Sequence, residues 1–120
     1  MWKVQTTEVF DEWFTGLGDD AKTEVIAKVE LLKIFGPQLG RPHADTLKGS
    51  KHKNMKELRA VTADKAIRIS FAFDPKRSAI LLAAGDKGGV AQAQFYKKLI
   101  AKSDALFDAH LAVLKQRKEK

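Results

Sequence analysis

This sequence predicts an α+β domain: a short N-terminal strand and two helices, then a three-strand antiparallel meander and a long C-terminal helix. Three observations carry that reading. Ala66–Phe73 (AIRISFAF) alternates apolar and polar residues with a period of two, as a half-buried strand does. Two further strand-like runs flank it across short turns, KELRAV before and SAILLAA after. Apolar residues at helical spacing lie on both sides of this block.

Taken in order, residues 2–6 (WKVQT) alternate weakly and are rich in strand-favouring types. Phe10, Trp13, Phe14 and Leu17 then fall at i, i+3, i+4 and i+7, with Glu8, Asp11 and Glu12 off that face. Thr7 suits the N-cap of this first helix and Gly18 the position after its last turn. At this spacing, beside a strand, the aromatics read as core. A second helix starts at Asp19 or Asp20, buries Val25, Ile26, Val29, Leu32 and Phe35, and stops at Gly36-Pro37. The nineteen residues 36–54 (GPQLGRPHADTLKGSKHKN) show little periodicity and read as a ligand-facing loop. Lys56–Val61 opens the meander, Asp74-Pro75-Lys76-Arg77 forms its second turn, and residues 78–84 form a strand covered on both faces. A final helix spans about 91–115, with Tyr96, Ile100, Ser103, Phe107, His110 or Leu111, and Leu114 on one stripe, widened by Phe95, Leu99 and Leu106. The tail KQRKEK reads as frayed.

One domain, 1–120, accommodates this length, and the apolar share of 44% with 31% charged residues is that of a folded globular chain. The absence of cysteine excludes disulfides and thiolate metal sites. No leader-like apolar segment opens the chain and nowhere do eighteen apolar residues run together, so a cytoplasmic protein without a membrane span is expected. Of the net charge of +7, residues 41–88 carry nearly all, with 11 Lys or Arg against 5 Asp or Glu. A localised excess of this kind points to a polyanion-facing surface; a solvated face without a partner is the alternative.

Matching the apolar faces sets the register. With residues 62–65 as the first turn, Leu58 and Ala60 lie opposite Ile69 and Ile67, Arg59 opposite Arg68, and Glu57 opposite Ser70. If Phe73 then pairs with Ser78, Ile80, Leu82 and Ala84 join the apolar face. Ala83 and Gly85 join the arginine face and leave open space, and Lys87 continues their parity. Two directly opposed arginines are unfavourable alone. They either splay into water or gather around a phosphate, for which the guanidinium fork is suited. His43 and His52 have nothing nearby to complete a metal site.

The ordered set MKELR, IRISFAFDPKR, ILLAAGDKGG and QFYKKLI, with LGRPHADTLKGS before it, resembles the RelE/ParE superfamily of toxin–antitoxin toxins. It is most similar to the HigB-type, phage-derived branch, from about Val4 to Leu114. The resemblance implies a RelE-like fold and a toxin that enters the ribosomal A site and cleaves mRNA without metal or cofactor. It also implies a cognate helix-turn-helix antitoxin and an oligomeric complex with it. In that reading Arg68 grips the scissile phosphate, and Lys87 stabilises charge or donates a proton. Arg59 and Lys56 match the basic positions of the preceding strand, and Lys48 is a loop contributor. Lys51, His52 and Lys53 extend the substrate-facing loop, while Tyr96 stacks on the nucleotide or belongs to the core. Lys56, Lys48 and a histidine are alternative bases, and Asp86 is a further acid-base candidate. A ParE-like gyrase inhibitor on the same fold is the rival activity, and a non-toxic interaction module a third reading.

Overall fold

The computed structural model describes residues 1–118, and its elements run β1 (Val4–Thr6), α1 (Glu8–Thr15), α2 (Asp19–Phe35), β2 (Ala44–Thr46), β3 (Lys56–Val61), β4 (Ala66–Phe73), β5 (Ala79–Asp86) and α3 (Gln92–Lys118). Five strands form one sheet in the order β1-β5-β4-β3-β2. β1 lies parallel to β5, and the remaining pairs are antiparallel. Alternation in β3 and β4 sends Leu58, Ala60, Ile67, Ile69 and Phe71 to one face, against Phe10 of α1 and Ala21, Val25 and Leu32 of α2. The other face presents Ala72, Ile80 and Leu82 to Leu99 and Phe107 of α3. The sheet is therefore a middle layer, as the α+β reading requires.

Local chemistry explains most boundaries. The Thr7 hydroxyl accepts from the Phe10 N–H at 3.1 Å and caps α1, which ends at Gly16, two residues before the expected Gly18. α2 starts at Asp19 behind Gly18, so the two aspartates occupy its first turn, where their charge suits the helix dipole. Its buried stripe is narrower than the spacing predicts. Ile26 and Phe35 are each 51% exposed because α2 meets the core along Ala21, Val25 and Leu32, with Val29 and Leu31 partly buried beside them. The long loop also holds more structure than its pattern suggests. A 3-10 turn, Gly36–Gln38, is followed by β2, a three-residue edge strand on β3, and Leu47 and Met55 are buried. α3 continues to Lys118, through most of the tail expected to fray, while Glu119 and Lys120 lie outside the described residues.

The first hairpin has the expected register throughout, including Arg59 opposite Arg68 and Glu57 opposite Ser70. The second does not. Phe73 pairs with Ala79 instead of Ser78, and Phe71 with Leu81, so Ile80 and Leu82 lie on the α3 side rather than beside Ile69. The cause is the turn: Arg77 adopts φ 66, in the left-handed region, and its N–H bonds the Asp74 carbonyl at 2.8 Å. This left-handed residue takes up one more position than a plain four-residue turn. A bulge between Ile69 and Phe71 then shifts the pairing again, so that Ala84 faces Ile69 and Gly85 faces Arg68, where the expected register puts Leu82 and Ala83; the parity of Ala84 and Gly85 is nevertheless the expected one. The Ser70 hydroxyl fills the bulge, accepting from the Ala83 N–H and donating to its carbonyl, each at 3.1 Å. Ser103 on α3 donates to the same hydroxyl at 2.6 Å, tying helix to sheet.

Among the described residues no helix is long and apolar enough to cross a membrane. Gly36 ends α2 at φ 56, and a Cβ there would lie 2.4 Å from Trp2 Nε1. Gly36→Ala is therefore expected to lose about 2–4 kcal/mol of stability, from backbone strain and displacement of the indole together. Urea unfolding followed by tryptophan fluorescence measures this, and an unchanged midpoint would contradict it.

Candidate functional site

Arg59 and Arg68 point from directly opposed positions of β3 and β4 toward α3. Their repulsion is relieved from within the sheet. Glu57, two residues before Arg59 on the same face, has a side chain only 5% exposed and places Oε2 3.2 Å from Arg59 Nη2 and Oε1 3.6 Å from Arg68 Nε. Asp45 lies opposite Glu57 on edge strand β2, and its Oδ2 stands 3.4 Å from Arg59 Nη2 and 2.8 Å from Arg41 Nε. The result is a row of alternating charge, Arg41, Asp45, Arg59, Glu57, Arg68. The Thr46 N–H and then Arg41, with Arg59 more weakly, hold the Asp45 carboxyl below the usual carboxylate value.

α3 closes the row from above. The Tyr96 hydroxyl donates to Glu57 Oε1 at 2.7 Å. Burial and the Glu57 charge raise the phenol above its ordinary pKa, and nearby Arg68 only partly opposes them. Phe95 stands edge-on to Tyr96 at 5.3 Å and takes up the space above Gly85, where a Cβ would meet its ring at 3.0 Å. The gap expected beside the small residues of β5 is thus occupied. Arg68 is left with a side chain 9% exposed and donates through Nη1 to the Ile67 carbonyl. The Nε groups of both Arg59 and Arg68 are buried without a hydrogen-bond partner. Donors without a hydrogen bond are rare inside folded proteins; that of Arg68 faces Glu57 Oε1 at 3.6 Å, just beyond hydrogen-bonding reach.

The other sequence-derived candidates divide into three groups. Lys87 follows β5, with its N–H on the Ala66 carbonyl at 2.9 Å, and shares the parity of the arginine face. The Asp86 carboxylate beside it accepts the N–H groups of Ala66 and Gly88, each at 2.9 Å. Burial works against its charge, but these bonds and Lys65 outweigh that and hold its pKa below the usual value. Lys56 belongs to the opposite face of β3, where its amine donates to the Pro37 carbonyl at 2.9 Å, so the structure does not bring it to the arginines. The basic loop forms a separate cluster on α3. Lys51 pairs with Asp108, His52 Nε2 lies 2.8 Å from Asp108 Oδ1, and Ser50 donates to Asp104 at 2.5 Å. Lys48 and Lys53 are exposed, and His43 Nδ1 sits 2.8 Å from Lys28 Nζ, away from this cluster.

Glu57 is expected from the sequence only to offset part of the repulsion between the arginines, and the structure makes it the centre of the site. Its parity with Arg59 was visible, yet its burial between two arginines depends on α3. Tyr96 joins the site through its hydroxyl, although its ring lies within the helix stripe.

Residues 12–108 match the model of the family described as Phage derived protein Gp49-like (DUF891). The chain belongs to the Gp49-like family. Over 114 residues this Gp49-like chain is 45% identical to a Mycobacterium tuberculosis protein named "Putative toxin HigB2", a match covering 94% of the chain and 56% of HigB2. Over 79 residues it is 51% identical to "Putative toxin HigB3" of the same organism, covering 66% of the chain and 68% of HigB3. The chain thus spans just over half the length of HigB2. Among solved structures, a double arginine-to-alanine mutant of Escherichia coli toxin RelE in the free state superposes with TM-score 0.60 at 11% identity, covering 84% of this chain and 95% of that one. An archaeal RelE–RelB complex from Pyrococcus horikoshii gives TM-score 0.55 at 14% identity, covering 74% and 98%. The Gp49-like chain is therefore HigB-like in sequence and carries the RelE-like fold.

Two expectations follow for the Gp49-like site. Glu57→Ala leaves Arg68 buried without its carboxylate and should cost about 3–5 kcal/mol in urea unfolding, with Glu57→Gln costing less because it still accepts from Tyr96. Tyr96 is the single tyrosine of the sequence, so ultraviolet absorbance reads its titration without overlap. Its folded pKa lies above the ordinary 10.0, so the stability it contributes is complete below that value and lost as pH rises through the folded one. Tyr96→Phe should flatten that alkaline limb; an unaltered limb would show that another group is responsible.

Proposed function

We propose that this chain is the toxin of a type II toxin–antitoxin system and acts as a ribosome-dependent mRNA endoribonuclease. The observation that carries the proposal is the opposed Arg59 and Arg68, whose buried Nε donors make no hydrogen bond within the protein, Arg68 Nε meeting Glu57 only as an ion pair at 3.6 Å. Family membership supports it, and the relatives HigB2 and HigB3 bear toxin names. The ribosome and mRNA in the A site are the partners in this reading, which places the protein in the cytoplasm. A cognate helix-turn-helix antitoxin is the third, consistent with a fold neighbour having been solved as a RelE–RelB complex.

In the proposed reaction the 2′-hydroxyl attacks the adjacent phosphate, breaks the bond to the 5′ oxygen, and leaves a cyclic phosphate and a free 5′-hydroxyl. Arg68 and Arg59 stabilise the negative charge that accumulates on the phosphorane, and the buried Arg68 guanidinium acts more strongly there than it would in water, while Arg59 is about a third exposed. Lys87 assists from the strand end as a second-side cation or proton donor. Tyr96 and Glu57 position the arginines. Phosphate reaches Arg68 only when the Tyr96–Glu57 contact opens, because Arg68 is otherwise enclosed. Lys48 and Lys53 remain exposed for contact with more distant phosphates.

A gyrase-inhibiting toxin on the same fold is the second reading. One observation favours it: Glu57 and Asp45 already neutralise the arginine pair. Inducible expression with mapping of mRNA ends separates the two. New 5′ ends within translated regions, reduced about 100- to 1,000-fold by Arg68→Ala in a variant that circular dichroism shows to be folded, are expected for the nuclease. Growth arrest with intact transcripts would overturn the nuclease, and toxicity of the folded Arg68→Ala variant would favour the gyrase reading.

A further inference from the structure

A second cationic site lies at the other end of the sheet. Trp2 is held by Phe73, ring to ring at 5.4 Å and 74°, by its own N–H on the Lys33 carbonyl at 2.9 Å, and by close approach to Gly36. Over this fixed indole lies the Arg77 guanidinium, 4.9 Å from the ring centroid. Trp2 and Arg77, with Lys3, Lys76 and Ser78, line an open cleft of about 320 Å³.

Two features set this cluster apart from an ordinary solvated face. First, Lys3, Lys76 and Arg77 are exposed, and none is ion-paired among the described residues. The nearby carboxylate, Asp74, is already committed: Oδ1 accepts from the N–H groups of Lys76 and Ser78 at 2.9 and 3.0 Å, and Oδ2 lies 2.8 Å from His110 Nε2. The cations of the central site, in contrast, meet Glu57 and Asp45. Second, Arg77 occupies a left-handed backbone position, φ 66, that glycine takes readily and other side chains rarely adopt. Strain at an exposed arginine stacked on a rigid indole leaves its guanidinium edge oriented before any ligand arrives. A pre-oriented fork loses less freedom on meeting a phosphate than a free lysine does.

We infer that the Trp2, Lys3, Lys76 and Arg77 cluster is a second phosphate-binding site, which grips the backbone of structured RNA away from the site of cleavage. The inference rests on the reading that this chain works on RNA. Phe73, against which Trp2 packs, lies five residues along β4 from Arg68, roughly 17 Å at about 3.3 Å per residue. Trp2 and Phe73 belong to the α2 side of the sheet, and Arg68 faces α3. The two sites therefore hold different phosphates.

Binding of a short RNA duplex, followed by fluorescence anisotropy over a salt series, tests this. The double variant Lys76→Gln/Arg77→Gly is expected to bind about tenfold more weakly near 0.1 M salt, with a salt slope flatter by about 1.5. Its melting temperature should equal or exceed that of the parent, because glycine fits the backbone at position 77. Three results would each overturn the inference: equal duplex binding by the variant, no duplex binding by the parent, or equally tight binding of poly-glutamate by the parent. Unchanged duplex binding in the variant with mRNA cleavage intact sinks this site alone. Salt-sensitive duplex binding without new mRNA ends sinks the nuclease reading alone.

Discussion

Glu57 sits beneath α3 between guanidinium groups from two neighbouring strands, and the geometry around it follows from what a buried carboxylate requires. An ion removed from water is costly unless opposite charge and hydrogen bonds replace the solvent. The register of β3 on β4 supplies the charge, since it sets Arg59 against Arg68 within reach of one carboxylate. A slip of one residue would carry Arg68 to the α2 side and leave Glu57 facing α3 without it. The same carboxylate positions α3 through Tyr96, and Gly85 admits Phe95 so that the first turns of the helix can approach. Conversely, the two arginines would repel across the ladder without Glu57 between them. Strand register, helix docking and charge compensation are one problem with a shared solution.

That coupling explains what could be read in the residues beforehand. β3 and β4 have one apolar and one polar face, so their period and the short Thr62–Lys65 turn specify every pair of the first hairpin. β5 is apolar on both sides, and an apolar run carries no parity information, so a shift of one residue leaves its pattern equally satisfied. What decided its register was the left-handed Arg77 and the Ser70 hydroxyl seated in the bulge, neither of which has a periodic signature. β2 escaped notice because three residues are too few to show alternation. In α2, spacing identified the inward direction but not the width of the covered stripe, which is limited to Ala21, Val25 and Leu32 with Val29 and Leu31 beside them. Ile26 and Phe35 are exposed for that reason.

The opposed arginines were legible because they depend on a single hairpin. The surroundings were not, because they are assembled from distant segments. The loop lysines and His52 look free when only neighbouring residues are considered, yet Lys51 and His52 meet Asp108, more than fifty positions later. Lys56 is the opposite case. Its parity with Leu58 already placed it on the apolar side of β3, and the contact with the Pro37 carbonyl follows from that parity rather than from any distant partner.

The excess positive charge of residues 41–88 thus resolves into two populations with different physical effects. Arg68, enclosed, and Arg59, partly exposed, are both compensated by carboxylates, which weakens their field in solution but makes each donor effective toward a phosphate that displaces the compensation. Lys48, Lys53, Lys76 and Arg77 are exposed and carry no ion pair among the described residues, so their field extends outward until salt screens it. Under the proposed function, capture of RNA belongs to the exposed group and the chemical step to the compensated pair. Raising the salt concentration should then weaken capture steeply, while the rate of cleavage of RNA already bound changes little, since a guanidinium in direct contact with its phosphate is screened far less than charges acting across solvent. Single-turnover cleavage on saturated and subsaturated ribosomes at several salt concentrations distinguishes this from a single open cationic surface, for which binding and chemistry would weaken together.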